Sequence, residues 1–265
     1  MSNLVNATYD TYKYIFHDLA DRRSDDWLLM GSVWYPITII LLYLYVVKVV
    51  GPRFMKERPA YNLDKIIALY NIVQIWACFD LFIRAYTLGW GLSLRLFCEP
   101  VDYSNSPQAL LISRGIWKYY LLKVVDILDT VFFILRKKNN QVTFLHVYHH
   151  AGMIMIAWII ARYVPGGHVT LVGATNCFVH VVMYGYYFIT NMWPEYKQNI
   201  WWKKHITQLQ LVQFVIIFCH SLPVLLQKDC NYPKAVALLT MLESVTMLVL
   251  FGNFYRKSYL KKKTV

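Results

Sequence analysis

Charge is what this 265-residue chain has least of: Asp, Glu, Lys and Arg together make up 16% of it, against 57% apolar residues. With a positive mean hydropathy, that balance excludes an ordinary soluble domain and points to an integral membrane protein. The chain also lacks a Pro/Gly/Ser-rich linker, a low-complexity tract and a tandem repeat, so residues 1–265 read as one polytopic domain. Its first residues carry Asp10, Asp18, Asp21, Asp25 and Asp26 but no short apolar core of a cleavable signal, so 1–27 is expected to be a polar lumenal segment. Lys and Arg give a net charge of +12, yet they are dispersed between apolar runs. Dispersal argues against nucleic acid as a partner, and for membrane orientation and attraction to anionic headgroups or substrates.

A spanning helix takes ~20 apolar residues, and seven stretches qualify: 28–50, 66–88, 110–135, 144–164, 169–190, 206–226 and 235–255. With the N-terminus lumenal, one side collects Lys48, Arg53, Lys56, Arg58 and Lys65, then Arg136, Lys137 and Lys138, then Lys197, Lys203 and Lys204, and finally the basic tail 256–265. Positive residues favour the cytosol, which sets the C-terminus there. The competing topology has six helices and leaves the histidine-rich stretch in a soluble turn. In the first topology Cys98 and Cys230 both face the oxidising side, where they either pair or stand as separate loop thiols. Asn6-Ala7-Thr8 is a glycosylation sequon. Lys262 and Lys263 look like a dilysine retrieval signal, although a basic tail on an anionic leaflet fits them as well.

The informative polar residues lie inside the apolar runs, where ionisable groups are costly and usually functional. His146, His149 and His150 have spacings that place three imidazoles on one helical face. Lys123, Asp126 and Asp129 recur every three residues, with Thr130 next. His180 is followed at i+4 and i+7 by Tyr184 and Tyr187, and Thr207, Gln210 and Gln213 again repeat by three. Asn71, Gln74, Asp80 and Arg84 are polar in the second stretch, the last two as an i,i+4 pair. His205 and His220 read as satisfied interface or core residues, and His17 and His168 as loop residues. The reactive groups converge on the cytosolic half, leaving the other half greasy. That pattern suits a long-chain substrate with an anionic head.

Four motifs in order resemble the very-long-chain fatty acid elongases, the ELOVL-type 3-ketoacyl-CoA synthases: KVVDILDT (123–130), HVYHH (146–150), HVVMYGYY (180–187) and TQLQLVQ (207–213). The one departure is Asp126, where the family has Glu. The resemblance implies an all-α membrane protein of seven transmembrane helices, six of them around an acyl-chain tunnel closed at the lumenal end, resident in the endoplasmic reticulum membrane. It implies condensation of malonyl-CoA with a long-chain acyl-CoA, giving a 3-ketoacyl-CoA two carbons longer plus CO2 and CoA. No metal or organic cofactor is implied. Membrane lipid, a ketoreductase, a dehydratase, an enoyl reductase and a homo- or hetero-oligomer are the implied partners.

No cysteine lies near the proposed mouth, and a neutral imidazole is a competent acyl acceptor. In line with the family, His149 is expected to be the nucleophile, with His146 and His150 orienting and relaying protons and His180 with Tyr184 and Tyr187 stabilising negative charge. Lys123, Gln210 and Gln213 are candidates for the malonyl carboxylate or thioester carbonyl, with Asp126, Asp129 and Thr207 beside them. Lys137, Lys138, Lys203 and Lys204 are candidates for CoA phosphates. The alternatives are a di-iron desaturase or hydroxylase, which needs more ligands than one histidine box and His180 supply, and a non-enzymatic lipid transporter.

Overall fold

The computed structural model describes residues 2–90, 97–198 and 200–260. Ten α-helices run through them: α1 Ser2–Lys13, α2 Trp34–Tyr45, α3 Gly51–Met55, α4 Asp64–Ala85, α5 Pro107–Val125, α6 Leu128–Leu135, α7 Phe144–Tyr163, α8 Thr170–Met192, α9 Ile200–Leu226 and α10 Lys234–Tyr255. Among the described residues there is no strand, as expected where backbone groups must be satisfied without water. Among the described residues six helical runs are long and apolar enough to cross a membrane: Trp34–Met55, Asp64–Leu88, Phe144–Tyr163, Gly167–Met192, Trp201–Leu226 and Lys234–Leu260.

Two expected stretches are corrected. The 28–50 run does not begin as a helix at residue 28: turns occupy residues 25–31, with Leu29 at φ 64°, and α2 starts at Trp34 with Pro36 in its first turn. It continues through a π turn, Val46–Val50, into α3. The 110–135 run is not one helix. It divides at Asp126-Ile127, where Asp129 and Thr130 donate their N–H groups three residues back, to Asp126 and Ile127. The tightened turn redirects Asp126, Asp129 and Thr130 toward different neighbours, which a continuous helix would not do.

The loops sort into two groups. At one end Cys98 and Cys230 form a disulfide, Arg23 donates to the Ser104 carbonyl and Tyr103 to that of Tyr163. Arg162, buried, holds the N-terminal segment through Asp25, Ser24 and the Phe16 carbonyl. His168 is no loop residue: it is buried, stacked on His220 at 3.6 Å, and each ring faces the other's backbone carbonyl. The chain turns here on Gly167, at φ +62°, where a Cβ would lie 2.7 Å from the Pro100 carbonyl oxygen. At the other end Tyr61 donates its N–H to Leu135, Arg136 pairs with Asp64 and Asn191 reaches the Asp64 carbonyl. The main packed core lies between α5, α7 and neighbouring segments around Tyr120, Ile154, Ala157, Trp158 and Ala161, where small side chains let the helices approach.

The disulfide closes a loop of 132 residues, so cutting it releases much chain entropy in the unfolded state. Cys98→Ser with Cys230→Ser is expected to cost about 2–5 kcal/mol, read as a lower unfolding midpoint in detergent. An unchanged midpoint would show that the loops hold together without it.

Candidate active site

The site begins with a helix cap. The Thr143 hydroxyl accepts the N–H of His146 and starts α7, so the three histidines fall in its first two turns. The rings then diverge in environment. His146 Nε2 lies 2.8 Å from the Thr130 hydroxyl, which in turn meets the Tyr43 hydroxyl at 2.9 Å, joining α7, α6 and α2. His150 is buried with its ring 4.3 Å from that of His146 and 5.7 Å from that of His149. His149 alone among the four motif histidines lines the principal cavity, and its buried Nδ1 has no hydrogen-bond partner.

A second cluster centres on Asp126. Lys123 Nζ lies 2.8 Å from Oδ2, both side chains almost fully buried. Gln74 donates to Oδ1 at 2.8 Å and to the Tyr70 hydroxyl at 2.8 Å. The Tyr184 hydroxyl is 2.9 Å from Asp129 Oδ2 and 3.3 Å from Asp126 Oδ1. His180 Nδ1 stands 3.9 Å from Asp126 Oδ2, beyond hydrogen-bond reach. Despite its shorter side chain, Asp126 is the hub of α4, α5 and α8. Lys123 is therefore occupied by Asp126 rather than presented to a substrate.

The other expected residues are not all brought in. Gln213 lines the cavity beside His149. Gln210 lies instead against the Met183 sulfur, and Thr207 bonds back to the Lys203 carbonyl of its own helix. Tyr187 is 37% exposed, its ring edge-on to Tyr184. At the helix mouths, Lys138 is half-buried, and that burial, with Arg136, Lys197 and Lys203 close by, pushes its pKa below the usual lysine value. Lys137 is exposed with a left-handed backbone, and Lys204 is half-buried. Asn6 is exposed on α1; Lys262 and Lys263 lie outside the described residues.

The cavity, about 680 Å³ counting its opening, runs between α5, α7, α8, α9 and α10. Its apolar lining includes Met153, Ile156, Ile160, Val172, Ile217 and Met247, and its polar lining includes His149, Asn176, Gln213 and Glu243. Tyr119 donates to Asn176 at 2.8 Å across one wall. The motif-based reading missed several participants. Tyr43, Tyr70, Tyr119 and Tyr148 carry no signal apart from ordinary aromatic content. Gln74 was singled out only as a polar residue of the second stretch, without a role, and Glu243, the one acid in α10, was visible as a costly residue.

This geometry offers an unpaired imidazole at the head of an apolar cavity, backed by a buried, hydrogen-bonded polar cluster, which suits covalent capture of a lipid acyl group. Residues 28–265 match the GNS1/SUR4 (ELO) family. The Drosophila melanogaster very long chain fatty acid elongase 7 is 39% identical over 96% of this chain and 77% of its own length. The Rattus norvegicus very long chain fatty acid elongase 7 is 41% identical over 98% and 92%, and the Homo sapiens very long chain fatty acid elongase 4 is 37% identical over 99% and 83%. With its family match spanning nearly all the described helices and these relatives aligned over almost its full length, the chain belongs to the GNS1/SUR4 family and is a multi-pass membrane protein.

Proposed function

We propose that the protein is the condensing enzyme of fatty acid elongation, a 3-oxoacyl-CoA synthase, and that it carries the acyl group on His149. The observation that supports this most directly is the His149 ring at the wall of an apolar cavity with its Nδ1 unpaired. His149 attacks the acyl-CoA thioester carbonyl, the carbon–sulfur bond breaks, and CoA leaves as the thiol with the imidazole proton. Malonyl-CoA then loses CO2, the resulting enolate carbon attacks the acyl-imidazole to give the 3-ketoacyl-CoA, and the departing imidazolate takes one proton from water, through the neighbouring imidazoles, to restore His149. His150, packed on His149, and His146, fixed by Thr130, hold the ring and pass protons. His180, beside Asp126, and Tyr184, bonded to Asp129, stabilise oxyanion and enolate charge. No cofactor enters this sequence of steps.

The cavity serves as the acyl tunnel, and α5–α6 makes the seventh passage, since it joins the disulfide-linked end to the basic end. The disulfide end is lumenal and the basic end cytosolic, in the endoplasmic reticulum, where the reductase and dehydratase partners of the cycle would act. A metal-dependent oxygenase needs several donors converging on each ion. Among the described residues no three His, Cys, Asp or Glu side chains form such a group, and metal analysis of the purified protein tests that alternative. Incubation with labelled malonyl-CoA and acyl-CoAs from C16 upward tests the proposal; products two carbons longer are expected, and none forming would overturn it.

Arg136, Lys138, Lys197 and Lys203 form the CoA-phosphate rim. Lys138→Ala with Lys203→Ala is expected to raise KM for acyl-CoA about tenfold with little change in kcat. Because Lys138 gives up its proton below the usual lysine range, the wild-type KM should begin to rise at a lower alkaline pH than a solvent lysine would dictate. Steady-state kinetics across pH 7–10 read both effects.

A further inference from the structure

One acid at the cavity has no part in that chemistry. Glu243 lies in α10, whose neighbouring wall residues are Thr240, Ser244 and Met247. Its Oε2 accepts a hydrogen bond from the Tyr148 hydroxyl at 3.1 Å, while Oε1 is buried and has no partner. Apart from the Gln213 amide, which makes no hydrogen bond to Oε1, the adjoining polar groups are otherwise engaged. Thr240 and Ser244 donate to carbonyls of their own helix, and Tyr119 and Asn176 bond each other. Two cavity-lining atoms remain buried and unmet, His149 Nδ1 and Glu243 Oε1. The first is accounted for by the acyl group it captures.

A buried acceptor left unpaired is costly, and its persistence calls for a donor that arrives with a ligand. A saturated hydrocarbon chain offers none. On the α7 side Tyr148 holds Oε2, and Oε1 faces Gly152, where a Cβ would lie 4.0 Å from it. Tyr148 lies one residue before His149 and Gly152 three after it, so the carboxyl faces the turn of α7 that carries the imidazole. A donor meeting it must therefore belong to the acyl chain within its first several carbons, or be a trapped water.

We propose that Glu243 is a specificity-determining residue that selects acyl-CoA substrates carrying a hydroxyl group on the carboxyl-proximal part of the chain, the hydroxyl donating to Oε1 while Tyr148 holds the carboxyl in place. This deepens the elongase reading and depends on it. A site shaped to bond a hydroxyl discriminates against the analogue lacking one, because the site's own buried group is then left unpaired.

The test uses the full chain in lipid nanodiscs with labelled malonyl-CoA, comparing palmitoyl-CoA with palmitoyl-CoA monohydroxylated at each position from carbon 2 to carbon 8. The wild type is expected to favour at least one isomer by tenfold or more in kcat/KM. Glu243→Leu should bring that ratio below twofold, and Glu243→Gln, which keeps one acceptor oxygen, should retain part of it. Each ratio compares two substrates on one preparation, so partial misfolding of a variant cancels. A wild type with no preference for any isomer, as a water-filled site would give, overturns the inference, as does a Leu variant that keeps the preference. Failure of the wild type to elongate any of these acyl-CoAs, palmitoyl-CoA included, overturns the elongase reading itself and this inference with it.

Discussion

His149→Ala is expected to abolish elongation, lowering the condensation rate about 10³-fold or more, and to remove any acyl adduct detectable on the intact protein. The physical ground is specific to this ring. His146 is tied to Thr130, and His180, its Nδ1 also unpaired, is buried beside Asp126 outside the cavity lining, whereas His149 lines the cavity with Nδ1 uncommitted. Mass spectrometry of wild-type protein incubated with acyl-CoA, malonyl-CoA withheld, should show one added acyl group. The same experiment on His149→Ala should show none. His146→Ala should still acylate, more slowly, because it loses an orienting contact rather than the acceptor atom. An acylated His149→Ala protein would move the nucleophile elsewhere in the box.

The second large effect is on stability. Lys123 and Asp126 form an ion pair with both side chains buried, and the carboxylate also accepts from Gln74. Removing one partner leaves the other charged and desolvated, so Lys123→Met is expected to cost about 3–5 kcal/mol. Replacing the pair together, with Lys123→Met and Asp126→Leu, should cost less than the two single changes summed. Thermal unfolding in detergent of the wild type, both single variants and the double variant gives the coupling. Additive losses would mean that the pair does not act as a unit.

These two experiments probe residues that were legible to different degrees. The box HVYHH marks its own helix face, because three imidazoles at i, i+3 and i+4 in an apolar run have one geometric solution. KVVDILDT marks a costly cluster, but its partners lie elsewhere: Gln74 comes from α4 and Tyr184 from α8, each more than fifty residues away in sequence. Spacing alone also over-assigned. Thr207 and Gln210 share their period with Gln213, yet only Gln213 reaches the cavity, since a three-residue repeat drifts around a 3.6-residue helix. The break at Asp126 was hidden because no Pro or Gly marks it within a continuous apolar run. What opens the helix there is the set of contacts made by the side chains it redirects.

From sequence alone followed the helical class, the membrane setting, the order of the motifs and the grouping of three histidines on one face of α7. Each is a local property, fixed by apolar run length and by the helical repeat. Which imidazole faces the cavity, which lysine is already spent on an aspartate, and where a lone glutamate in α10 presents its second oxygen were decided by the packing of helices. Those outcomes depend on which donors and acceptors from distant segments come within 3 Å of one another, and no period along the chain encodes that.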